Sequence, residues 1–144
     1  MSLEHEELKR RAINGPSHLK AALGFMYLYG DGFVQDYGEA LKFLTLAAEE
    51  GNAAAMLHLA EMLERGVGVP SDVTGAIIWY TRVAELGGAS AQLALGRIFS
   101  RGVGIPVDVA AALKWYSAAG ASGEGDFSEE EEAVAYIKAN GKER

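Results

Sequence analysis

Apolar residues recur along the chain with helical spacing, broken at short polar, glycine-containing stretches. Leu19, Leu23 and Tyr27 stand at i, i+4 and i+8, one face of a helix, and predict a first helix (helix A) that ends at Gly30. Ala40, Phe43, Leu44, Ala47 and Ala48 follow i, i+3, i+4, i+7 and i+8, the stripe of a second amphipathic helix (helix B) ending before Gly51. Gly30 suits the left-handed position that closes a helix. Asp36 reads as the N-cap of helix B, and Glu39 three residues on completes a capping-box pattern with an acidic cap.

The pattern then returns in register. Leu23, Leu59 and Leu95 are separated by 36 residues, as are Gly30, Gly66 and Gly102, Gly32, Gly68 and Gly104, and Asp36, Asp72 and Asp108. Phe43 and Leu44 are answered by Trp79 and Tyr80, then by Trp115 and Tyr116. Such a period marks a repeat array, in which each unit buries its apolar face against its neighbours. The fold expected is all-α: an α/α solenoid of about three helix-turn-helix units, over residues 16–51, 52–87 and 88–123. Small residues at 24, 60 and 96 (Gly, Ala, Gly) predict close helix approach, and the recurrent aromatics of helix B predict inter-helix core.

The ends break the pattern. One period back, Leu8 aligns with Leu44 and Ala12 with Ala48, so residues 1–15 read as helix B of a degenerate preceding unit. They are either a terminal cap or part of a longer array. Beyond Gly123 the register fails; Ser128 and Glu131 form a capping box, and residues 128–140 are expected to be a capping helix. The whole, 1–144, reads as a single repeat domain with an acidic C-terminal segment, 124–144.

Composition narrows the function. The 144 residues include 18 glycines, accounted for mostly by the repeat, and no cysteine, which excludes disulfides, thiolate metal sites and a cysteine nucleophile. The three histidines, His5, His18 and His58, lack metal-ligand spacing, and no nucleophile elbow occurs. "RGVGVP" and "RGVGIP" resemble phosphate loops but follow a helix and lack the Lys-Ser/Thr pair. No cofactor is expected, and no enzyme activity. No apolar run approaches a membrane span. Glu4, Glu6 and Glu7 stand where a signal peptide needs basic then apolar residues; the expected compartment is cytoplasmic, or periplasmic or secreted if a leader has been trimmed. The net charge of −7 argues against nucleic acid. Residues 1–123 hold 10 basic and 13 acidic groups and residues 124–144 hold 3 and 7, so much of the acidity lies in the C-terminal segment.

The segments "ALGFMYLYGDGFVQDYGEALKFLTLAAEEGN", "RGVGVPSDVTGAIIWYTRVAELG" and "LALGRIFSRGVGIPVDVAAALKWYSAAGASG" resemble Sel-one-like repeats, relatives of the tetratricopeptide solenoids. Residues 18–123 follow that family's pattern with mild departures: Ala60 for the first Gly, Leu63 and Phe99 for the Tyr, and Phe43-Leu44 for Trp-Tyr. The resemblance implies a right-handed superhelical array that acts, in bacteria or eukaryotes, as an adaptor for a protein or peptide partner. Charge and hydropathy give no expectation of a nucleic acid or membrane ligand, and the sequence leaves the oligomeric state open between monomer and weak dimer. Cysteine-rich members are linked to β-lactam binding or hydrolysis, a branch that a chain without cysteine fits poorly. A purely structural segment of a larger repeat protein is the other alternative.

The resemblance also implies a site. Tetratricopeptide grooves are lined by fixed positions of helix A, which carry onto His18, Ala21, Phe25, Leu28 and Tyr29 in the first unit. They carry onto Ala54, Leu57, Glu61, Glu64 and Arg65 in the second, and Ser90, Leu93, Arg97, Ser100 and Arg101 in the third. This lining is apolar and aromatic at one end and basic at the other, with Arg97 and Arg101 one helical turn apart, and suits a peptide with apolar anchors and a carboxylate. Glu61 and Arg65 also have the spacing of an ordinary surface pair.

Overall fold

The structure, a computed structural model, describes residues 3–122 together with Ala139. Among the described residues there are seven helices and no strand: α1 (Leu3–Asn14), α2 (Ser17–Tyr29), α3 (Tyr37–Glu49), α4 (Ala53–Arg65), α5 (Val73–Glu85), α6 (Ala89–Arg101) and α7 (Val109–Ser122). The starts of α2, α4 and α6 are 36 residues apart, and so are those of α3, α5 and α7, as the repeat requires. The chain forms two compact units, residues 1–72 with α1 to α4 and residues 73–144 with α5 to α7. The division falls inside the second repeat, ahead of its helix B. The capping helix expected over 128–140 lies outside the described residues, apart from Ala139.

Each helix A stops for the reason read from the sequence. Gly30, Gly66 and Gly102 take left-handed φ values of 70°, 75° and 66° and donate their N–H groups to the carbonyls of Met26, Met62 and Ile98, closing the last turn. Asp36 Oδ1 accepts the Glu39 N–H at 3.1 Å and Asp108 Oδ1 accepts the Ala111 N–H at 3.0 Å. The capping box itself is only half made. The N–H of Asp36 donates to the Tyr27 carbonyl, and those of Asp72 and Asp108 to Leu63 and Phe99, at 3.0, 2.7 and 2.9 Å. Each Asp amide thus ties the loop back onto its own helix A, and that of Asp36 is unavailable to Glu39. The Glu39 carboxylate lies instead 3.8 Å from the Lys9 ammonium of α1.

In the first unit the core runs between α2 and α3. Leu23, Ala40, Phe43, Leu44, Ala47 and Ala48 are fully buried, and Phe43 stacks on Tyr27 at 6.1 Å. Gly24 is there for space: a Cβ on it would stand 2.7 Å from Leu44 Cγ. In the second unit Gly96 makes the same approach, its Cβ position 2.8 Å from the Tyr116 ring. Tyr80 and Tyr116 are buried as expected. The tryptophans beside them depart from the expectation of core: Trp79 and Trp115 are half-buried, with Arg82 4.7 Å and Lys114 4.6 Å from the ring centroids. A cation over the outer ring face satisfies the side that packing leaves open.

α1 is a helix where the register places a helix B one period ahead of α3. Its Ala12 is fully buried, like Ala48 one period on. Lys9 lies over the Tyr27 ring, 5.8 Å from its centroid. Burial works against the Lys9 charge, but the Tyr27 hydroxyl and the carboxylates of Glu39 and Glu6 outweigh it, so its pKa lies above the ordinary lysine value.

One register position is filled by three chemistries. Lys20 is buried, and its Nζ donates to the Gly15 carbonyl at 2.8 Å and to Glu50 Oε1 at 2.7 Å. Met56 takes the same place on α4 as plain apolar core. Gln92 takes it on α6, buried and donating to the Ala84 carbonyl at 3.0 Å. Lys20 and Gln92 each donate to a carbonyl at or just past the end of the preceding helix, where the intrahelical ladder has run out of donors.

Candidate functional site

In the first unit α2 and α4, two consecutive A helices, are linked by the edge of Phe25 against His58, 4.7 Å between ring centroids. Beside this contact lies a cleft of about 290 Å³. Its floor is apolar: Leu28 and Met62 are buried and Val67 is half-buried. Two exposed aromatics, Tyr29 and Tyr37, form walls, while His58, Glu61 and Arg65 of α4 form the polar side.

The walls are held locally. Gln35 Nε2 donates to the Leu28 carbonyl at 2.8 Å and to the Tyr37 hydroxyl at 3.3 Å, tying the loop to the end of α2 and steadying the Tyr37 ring. Ser71, one period later, donates to the Glu64 carbonyl at 2.8 Å in the same way. His58 Nδ1 lies 2.9 Å from the Ala54 carbonyl. A carbonyl only accepts, so this contact requires a proton on Nδ1. Glu61 is half-buried and Arg65 exposed. Among the described residues no ion pair joins them, so the two opposite charges face the cleft separately.

Of the residues placed on the helix-A face by sequence, Leu28, Tyr29, Glu61 and Arg65 come together in this cleft. His18 is exposed near the start of α2; Leu57 and Glu64 are half-buried on α4; none of these lines the cleft. Phe25 supports it from behind through His58. Ala21 and Ser100 do not belong to a lining at all. Both are buried, and the Ser100 hydroxyl donates to the Arg97 carbonyl at 3.0 Å. In the second unit Leu93 turns inward and packs on the Ala112 and Tyr116 core, while Arg97 is half-buried and Arg101 exposed one turn apart on α6.

Sequence reasoning missed Gln35, Tyr37 and His58. Positions of helix A alone were carried over, whereas Gln35 and Tyr37 flank the Asp36 cap. A signal existed: Tyr37 is Val73 and Val109 in the other copies, an aromatic where the repeat otherwise has a small apolar residue.

No group of three His, Asp or Glu side chains is gathered as a metal site, and no helix is long and apolar enough to cross a membrane, among the described residues. Helix pairs repeating every 36 residues, with an open cleft between consecutive A helices, define an all-α helical-repeat protein. The Sel1 repeat model matches residues 20–52, 53–88 and 89–124, and the chain belongs to the Sel1 repeat family. It is similar to the crystal structure of a Sel1 repeat protein from Oxalobacter formigenes, with 35% identity and a TM-score of 0.74, over 90% of this chain and 96% of that one. It is also similar to a protective antigen of uropathogenic Escherichia coli strains that displays an SLR fold, with 25% identity and a TM-score of 0.74. That match covers 93% of this chain but 32% of the antigen.

Proposed function

We propose that this chain is a non-catalytic adaptor that binds a peptide or an unstructured segment of a protein partner at the cleft between α2 and α4. Sel1 repeats are generally protein-interaction modules, and the cleft is the observation that carries the finer reading. At about 290 Å³ it falls just below the roughly 300–1,000 Å³ of small-molecule sites and suits one large side chain of a peptide. Aromatic walls and an arginine are the residue types that dominate binding energy at such anchors. The anchor side chain enters between Tyr29 and Tyr37 onto Leu28 and Met62, and Arg65 takes a carboxylate of the same peptide. In the second unit Arg97 and Arg101, one turn apart on α6, are read as a carboxylate-binding pair.

The test is selection of displayed random peptides on the full chain, followed by measurement of each binder on Tyr29→Ala, Arg65→Glu and Arg97→Glu/Arg101→Glu variants. Binders that lose at least about tenfold in affinity on the first two support the cleft. Binders indifferent to both, or no binder at all, overturn it. The third variant tests the arginine pair separately.

A further inference from the structure

The cleft between α2 and α4 carries two opposite charges that are not spent on each other. Glu61 and Arg65 stand at i and i+4 on α4, the spacing of an ordinary helix-surface pair, yet both line the cleft. Among the described residues neither makes an ion pair or a side-chain hydrogen bond. An exposed pair of this spacing is weak, so little is lost when the two are held apart. His58, the third polar group of that wall, already has Nδ1 on the Ala54 carbonyl at 2.9 Å and its ring against Phe25. The acid and base together are particular to this helix: the same two register positions hold Phe25 and Tyr29 on α2, and Arg97 and Arg101 on α6.

An occupant of the cleft therefore meets an acid and a base on one side and the rings of Tyr29 and Tyr37 on the other. Four residues of helix span about 6 Å along the axis. An extended chain rises about 3.3 Å per residue and turns successive side chains to opposite faces. Its residues i and i+2 thus lie on one side, about 6.6 Å apart. Laid along α4, such a chain sets two side chains against Glu61 and Arg65. The one between them points to the tyrosines, over the apolar floor of Leu28 and Met62. A half-buried carboxylate favours a cation opposite it and disfavours an anion, and the guanidinium does the reverse.

We infer, with the cleft taken as the peptide site proposed above, that its ligand is an extended segment of a protein partner in which one apolar or aromatic residue is flanked by a base and an acid. The base lies against Glu61, the acid against Arg65, and the central side chain fills the cleft. A segment with two acidic or two basic flanks places one like-charge pair in contact and is rejected.

Random peptides displayed in parallel against the full chain as wild type, Arg65→Glu and Glu61→Arg test this. The set expected on the wild type has a base and an acid two residues apart around an apolar or aromatic residue. On Arg65→Glu both flanks become basic, and on Glu61→Arg both become acidic. Synthetic members of each set, measured by fluorescence anisotropy, bind the chain that selected them at least about tenfold tighter than the other two. All lose affinity when Tyr29→Ala is added. Far-ultraviolet circular dichroism verifies that each variant is folded. Peptides that depend on Tyr29 but show no change of flanking charge across the three chains overturn the charge pattern and leave the cleft as a peptide site. So do Tyr29-dependent peptides with their charges four residues apart, the spacing of a helical ligand. Peptides indifferent to Tyr29→Ala, or no binder on any chain, overturn both.

Discussion

The ion pair between Lys20 and Glu50 makes an asymmetric prediction. The Lys20 side chain is 6% exposed and the Glu50 side chain 45%, so the two ends of the pair have very different alternatives when separated. Glu50→Ala leaves a desolvated ammonium with the Gly15 carbonyl as its one remaining bond. Breaking a pair buried on both sides costs about 3–5 kcal/mol; with the carboxylate nearly half in water, the loss expected here is about 1–3 kcal/mol. Lys20→Met acts in the opposite sense. It gives up the bond to Gly15, about 1 kcal/mol, but removes the buried charge and leaves Glu50 free to hydrate. It also installs the residue that α4 carries at this place, Met56, which is 6% exposed, and a buried methionine side chain contributes about 1.5–3 kcal/mol relative to exposure. The net change is expected within about 1 kcal/mol of zero. Urea unfolding followed by circular dichroism reads both; fluorescence does not serve, because both tryptophans, Trp79 and Trp115, lie in the second unit. A Lys20→Met variant less stable than Glu50→Ala would refute the reasoning, because the pair would then be a net source of stability and not a satisfied cost.

Two further perturbations probe the loops and α1. Gly68 combines a φ of 74° with a Cβ position 2.5 Å from Tyr37 Cβ, whereas Gly51 has a φ of 94° and nothing within 4 Å. Gly68→Ala is expected to destabilise by about 2–4 kcal/mol, strain and clash together, and Gly51→Ala by about 1–2 kcal/mol from strain alone; thermal melting orders them, and equal shifts would show that the Tyr37 contact does not matter. The Lys9 pKa is raised above its ordinary 10.5, so its stabilising contribution is whole below that value and drains away as pH rises through the folded-state value. Stability of the wild type minus that of Lys9→Met, followed by urea titration from pH 8 to beyond about 11, is therefore expected to shrink on the alkaline side; a constant difference would mean that Lys9 acts through packing alone.

Much of this architecture is carried by local chemistry repeated in register. Asp36 and Asp108 cap helices, glycines at 30, 66 and 102 close them, and each does so through groups within a few residues of itself. Glu39 shows where local reading ends. Its spacing from Asp36 is that of a capping box, but the Asp36 amide is spent on Tyr27, a bond across the loop that spacing does not encode. The same holds at the cleft. Tyr29 and Arg65 were found because they occupy repeat positions, whereas Tyr37 and Gln35 enter the wall only because the loop folds back onto the end of α2.

What the sequence by itself determined is the class: helix pairs of 36 residues, with their caps and stops. Those features are periodic, and a period survives reading along one dimension. What only the tertiary structure decided is which side of each side chain faces out. Trp79 and Trp115 align with the buried Phe43 yet stand half in solvent. Leu93 aligns with the groove yet packs inward, and Lys20 aligns with Met56 and Gln92 yet forms an ion pair. Register names the position; exposure depends on what neighbouring helices leave uncovered, and that is a property of packing in three dimensions.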